Sequence, residues 1–185
     1  MTELLRTYAL TGATVIDGHG GPPLIETTVL VEDCVIKAVG SRVSIIVKDN
    51  IPEIDLGGHF ILPGLIDAHV HIVGVGSSEL LDNIVESNYL QAMRTVVEAG
   101  KLLEYGFTTI RSGGSRYDIY LKRAIEEGTV IGPRILTCGL ALGRSRGHGD
   151  YIRRDIYDFP EDFVKENFPR AQLVDGVDEV RKAVR

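Results

Sequence analysis

From Phe60 to Ile72 the chain reads FILPGLIDAHVHI, a mostly apolar run that ends on His69-Val70-His71. Apolar residues that do not alternate with polar ones suit a parallel strand covered on both faces. This constrains the fold more than any other feature, because a parallel strand needs a crossover to its neighbour, usually a helix. The following sequence supplies one. Ser87 or Asn88 is a candidate N-cap, Gly106 lies just past the other end, and Ala92, Met93, Val96, Val97, Leu102 and Leu103 form an apolar face. Phe107–Ile110 reads as a second strand that closes on Ser112-Gly113-Gly114. A helix over Tyr117–Glu127 stops at Gly128, and a third strand runs Arg134–Leu142. A polar loop spans Gly143–Phe168, with a helical turn near Glu161–Glu166. Asp175–Arg185 opens a helix with Val177, Val180 and Val184 on one face.

Residues 1–59 follow a different rhythm. Tyr8–Ile16, Thr27–Val31, Val35–Val39, Val43–Val47 and a short piece near Ile54 read as strands. Asp17–Pro23 breaks the chain, and Asp33-Cys34 makes a tight turn. The expected fold class is therefore α/β: a small β-sandwich-type domain over 1–59, then part of a (β/α)8 barrel over 60–185. Such a barrel takes about 250 residues. The 125 residues after Phe60 (185 − 60) make about half of one.

Composition removes other classes. The net charge of −6 argues against a nucleic-acid binder. The sequence contains no run of about 18 apolar residues, so no membrane span is expected. No secretory signal is visible, and two cysteines make no disulfide scaffold, so the expectation is a cytoplasmic protein.

His69 and His71 carry the chemistry. Residues i and i+2 of a strand point to one face, so both imidazoles converge. Neutral imidazole is a ligand for zinc and other divalent metals. Asp67, two residues earlier on the same face, is placed to orient a ligand histidine. His148 lies in a Gly-rich loop with Arg144 and Arg146 before it and Arg153 and Arg154 after it. Arg and His⁺ make strong bonds to a carboxylate, which suits that loop to a substrate carboxylate. Arg111 closes the second strand and is placed for a buried ion pair. His19 and His59 read as turn residues, and Gly113-Gly114 lacks the surroundings of a phosphate loop.

Asp55–His71 resembles the signature of the amidohydrolase superfamily, and the ALTGATVIDG and VLVEDCVIKAVG segments resemble its N-terminal β-domain. Arg111…Gly113-Gly114, Gly147-His148-Gly149-Asp150 and the Val174–Arg185 segment are similar to the imidazolonepropionase-like and Xaa-Pro dipeptidase-like branch. Members of that branch often carry Asp after the strand-two Arg, where this chain has Ser112.

The resemblance implies a metal-dependent hydrolase of C–N bonds, dipeptidase- or carboxypeptidase-like. His69 and His71 would be ligands of a divalent metal, zinc by expectation, two per active site in the intact enzyme. His148 would contact a small amide or dipeptide-like substrate. A bridging lysine, two further histidines and the aspartate that serves as general base are expected beyond Arg185, so this chain holds no catalytic acid or base of its own. A cyclic-amide hydrolase or deaminase of the same superfamily is a variant reading. The alternative from another class is a non-catalytic fragment or interaction protein, and self-association stays open.

Overall fold

The computed structural model describes residues 6–150, 160, 162–163 and 171–185. It is a mixed α/β structure whose chain divides between Pro63 and Gly64 into two compact units.

The first unit is a five-stranded sheet. Its strands are β1 (Tyr8–Val15), β2 (Leu24–Glu32), β3 (Val35–Ser41), β4 (Glu53–Asp55) and β5 (Phe60–Ile61). They run in the order β3-β2-β1-β4, with β5 also paired to β1. In β1 every second residue is buried, as a strand with one covered face requires. Val15, Val29 and Val31 form its core, with Tyr8, Leu10 and Ile61 packed against them. Asp33 and Cys34 both have positive φ (51° and 62°), the geometry of a type I′ turn joining β2 to β3.

The strand expected over Val43–Val47 does not form. The Ser44 and Ile45 amides both turn back to the Ser41 carbonyl, and Val43 and Ile46 are 96% and 88% exposed. β-branched residues favour a strand only where a neighbour supplies the ladder.

The second unit begins with β6 (Leu65–Val70), α1 (Leu80–Val85) and α2 (Asn88–Glu104). It continues with β7 (Phe107–Ser112), α3 (Asp118–Glu126), β8 (Arg134–Thr137), β9 (Ala141–Gly143), β10 (Ala171–Leu173) and α4 (Val177–Ala183). β6, β7 and β8 form a parallel sheet in that order. Helices α2 and α3 are its crossovers. Ile72, Ala99, Ile110, Leu121 and Ile135 make the core, with Val70, Leu102, Ile125 and Val130 packed against it.

Two expected strands prove to be broken. Phe60–Ile72 divides at Pro63-Gly64: Phe60–Ile61 pairs with β1, and Leu65–Val70 pairs with β7. Proline has no N–H for a ladder. A side chain on Gly64 would collide with Thr108, so this close approach needs glycine. Arg134–Leu142 divides at Gly139, whose φ of +73° turns the backbone, and the later part pairs with β10. Most of the loop expected over 143–168 lies outside the described residues, as does most of its expected helical turn.

Helix α2 buries a different face from the one its apolar residues suggest. Gln91, Thr95 and Ala99 are buried, whereas Met93, Val96 and Val97 are exposed. Thr95 and Ala99 are small enough for close approach to the sheet. Gln91 is buried without cost because both ends of its amide are satisfied: Nε2 donates to the Asn83 carbonyl (2.6 Å), and Oε1 accepts from Tyr117 Oη–H (2.8 Å).

Ile110 is fully buried at the centre of the parallel sheet. Ile110→Ala is expected to lower the unfolding free energy by about 2–5 kcal/mol, measured by urea denaturation.

Candidate metal centre

His69 is in β6 and His71 one residue beyond its end. The strand pleat brings both rings to one side, with centroids 5.3 Å apart and planes at 81°. β6 pairs with β7 so that Val70 stands beside Ser112, and the Gly113 amide donates to the Val70 carbonyl at 2.8 Å. The segment after β7 is thereby held against the two histidines.

That segment acts on them in two ways. His71 Nδ1 lies 3.0 Å from the Gly114 carbonyl. A carbonyl only accepts, so Nδ1 carries the proton and Nε2 keeps its lone pair outward. The second effect is steric. A Cβ at Gly113 would sit 2.8 Å from His71 Cε1, 3.0 Å from His71 Nε2 and 3.3 Å from His69 Cε1. Glycine leaves open the space that both rings face.

Asp67 acts on the backbone here. Its Oδ1 accepts the His69 amide at 3.0 Å, which shapes the end of the strand. Arg111, expected in a buried ion pair, is exposed. His148 shares a cavity of about 340 Å³ with His71. His71, Val73, Arg144, Gly147 and His148 are among its lining residues, and His69 is not. Arg153 and Arg154 lie outside the described residues.

Composition and periodicity do not point to Gly113 and Gly114 as functional. The signal that could have done so is a Gly-Gly pair at the end of the strand next to an H-x-H strand.

The loop after His71 is held against α2. The Gly74 amide donates to Glu98 Oε2 at 3.3 Å, and Arg94 pairs with Glu86. Desolvation by burial raises the Glu98 pKa, and the Gly74 amide, Lys101 and Arg94 only partly offset it.

Two imidazoles make two of the four donors that zinc commonly takes. Among the described residues, no group of three or more His, Cys, Asp or Glu completes a set. The pair therefore fits a metal as part of a ligand set. Among the described residues, no helix is long and apolar enough to cross a membrane.

The amidohydrolase family model matches residues 60–185. The chain belongs to the amidohydrolase family. Proteins of this family are generally metal-dependent hydrolases. The chain is 27% identical to ochratoxinase from Aspergillus niger over its whole length and spans 40% of that protein. Among solved structures it resembles a prolidase complexed with N-methylphosphonate-L-proline (TM-score 0.80, 35% identity, 97% of this chain and 43% of that one). It also resembles a Xaa-Pro dipeptidase with methionine bound in its active site (TM-score 0.75, 28% identity, 97% of this chain and 43% of that one).

Two outcomes follow from this geometry. Gly113→Ala crowds both rings, and affinity for a divalent metal is expected to fall on the order of 10–100-fold in a competition titration. The folded state holds the Glu98 proton more tightly than the unfolded chain does. Stability should therefore fall as pH rises from the ordinary glutamate range to the raised folded value, and the loss is complete above it. Glu98→Gln should remove that fall from a series of urea midpoints across mildly acidic pH.

Proposed function

We propose that this chain is the N-terminal portion of a metal-dependent amidohydrolase that cleaves an amide or peptide-like C–N bond in a small, carboxylate-bearing substrate. The β6–α2–β7–α3–β8 unit is then the first part of a (β/α)8 barrel, and the preceding sheet is part of a composite β-domain. Arrangement at the strand ends supports the reading, because catalytic groups in such barrels come from the C-terminal ends of strands.

One observation carries the proposal. His71, whose Nε2 lone pair is freed by the Gly114 carbonyl, lines the same cavity as Arg144 and His148. A cavity shared by a histidine of the H-x-H pair and two cationic side chains supports this reading, because hydrolysis of a peptide-like bond near a free carboxylate would use a metal and a carboxylate-binding group side by side. The prolidase and dipeptidase structures, with a proline derivative and methionine in their complexes, support a substrate of this class.

His69 and His71 would hold the metal, with zinc the expected ion. A bound divalent cation supplies Lewis-acid activation of water and of an amide carbonyl. The remaining work of this chain is binding and orientation. The Gly114 carbonyl holds one His71 tautomer, and Asp67 holds the backbone at His69. Arg144 and His148 would grip the substrate carboxylate through charge-assisted hydrogen bonds. The other ligands and the general base are proposed to come from further along the intact protein.

The test is turnover by the full-length enzyme on N-acyl-L-amino acids and dipeptides, with and without a chelator. Chelation should abolish turnover, zinc should restore it, and His69→Ala and His71→Ala should each remove it. His148→Ala should raise KM about 10-fold or more for substrates with a free carboxylate. That is the scale of losing one charge-assisted hydrogen bond of roughly 1.5–3 kcal/mol. It should leave carboxamide-capped substrates unchanged. Turnover that survives metal removal overturns the proposal, and so does a KM insensitive to His148.

A further inference from the structure

The segment carrying Arg144 and His148 is held from outside the cavity by one exposed carboxylate. β9 and β10 pair in parallel, Ala141 with Ala171 and Gly143 with Leu173, and the Val174 amide extends the ladder to the Gly143 carbonyl at 2.7 Å. The next residue, Asp175, uses both oxygens on Ser145. Oδ1 accepts the Ser145 amide at 3.0 Å, and Oδ2 accepts the Ser145 hydroxyl. The Asp175 amide in turn donates to Glu179 Oε2 at 2.6 Å, tying the residue to the first turn of α4.

Ser145 stands between cavity-lining residues on both sides: Gly143 and Arg144 before it, Gly147, His148 and Gly149 after it. Asp175 is not among the lining residues. The loop beyond Ser145 is already narrowed. The Gly147 amide returns to the Arg144 carbonyl at 2.9 Å, and the Arg146 amide donates to Asp150 at 2.6 Å. Arg146 has a φ of +57°. A Cβ at Gly149 would collide with the Ala171 side chain, so the loop lies directly on β10. The tie at Ser145 anchors this narrowed stretch, between Arg144 and His148, to the segment after β10.

We propose that Asp175 is a positioning residue for the substrate subsite: it acts through Ser145 to fix Arg144 and His148 at the cavity beside His71. The inference rests on the reading that this cavity binds the substrate carboxylate. The two bonds from Ser145 also hold the Asp175 carboxyl below the usual range, so the tie is intact across the neutral range.

The experiment uses the full-length, zinc-loaded protein with Asp175→Ala, Asp175→Asn and Ser145→Ala. Hydrogen exchange at Ser145 and Arg146 is followed beside kinetics on an N-acyl-L-amino acid. Asp175→Ala should speed exchange at Ser145 at least 10-fold and raise KM about 10-fold, with kcat within twofold and zinc content unchanged. Asparagine keeps an oxygen acceptor for the Ser145 amide and should recover most of both effects. Ser145→Ala keeps the amide bond and should fall between. Combined with Asp175→Ala it should add little, because Asp175→Ala already removes both bonds. If Asp175→Ala fails to fold, the Asn and Ser145 variants carry the same comparison.

Unchanged exchange at Ser145 overturns the proposal. So does a KM raised by His148→Ala but not by Asp175→Ala, or an Asp175→Ala effect confined to kcat and zinc content. Faster exchange with KM unchanged in both Asp175→Ala and His148→Ala instead overturns the substrate-subsite reading, and the tie itself stands.

Discussion

One hydrogen bond organises the candidate centre: His71 Nδ1–H to the Gly114 carbonyl, 3.0 Å away. It selects the tautomer, and therefore which nitrogen is free to coordinate. It depends on β6 and β7 running parallel in a register that sets Val70 beside Ser112, since only then does the chain after β7 pass over the histidines. The register rests in turn on the core under the sheet, where Ile72, Ile110 and Ile135 meet Ala99 and Leu121. Packing, register, tautomer and donor atom form one sequence of causes. This order explains why both histidines stand at the end of the strand, outside the apolar interior.

Two consecutive glycines serve that arrangement for different reasons. A Cβ at Gly113 would press on both imidazoles, so glycine leaves the rings where they stand. Gly114 has a φ of +120°, and a Cβ there would meet the Ala141 amide nitrogen at 2.8 Å. The same close approach links the end of β7 to β9, the strand that leads into the Arg144–His148 loop. The segment beside His71 and the strand leading to Arg144 and His148 thus meet through close backbone contact.

Much of this was legible from residue pattern. The tight turn at Asp33-Cys34, the helix between Asn88 and Glu104 and the parallel strands around His69 and Ile110 all follow from local rules: turn propensity, helix stops and apolar runs. The breaks at Pro63-Gly64 and Gly139 were less legible, because a continuous apolar run looks the same whether or not its two parts join different sheets. The buried face of α2 was illegible for a related reason. Hydropathy ranks Met93 and Val97 above Gln91, and only the presence of Asn83 and Tyr117 makes a buried glutamine favourable. Val43–Val47 shows the converse, β-branched residues without a ladder to join.

The sequence by itself determined most of the element types and the placing of His69 and His71 at a strand end. These are properties of residues close together in the chain. Tertiary structure alone decided that Gly114 would set the His71 tautomer, that His148 would share a cavity with His71, and that Asp175 would hold Ser145 from 30 residues away. Each of these requires two distant segments to meet at hydrogen-bond distance. Such meetings depend on strand register and on which helix face is buried, both settled by packing across the whole unit and not by any local stretch of sequence.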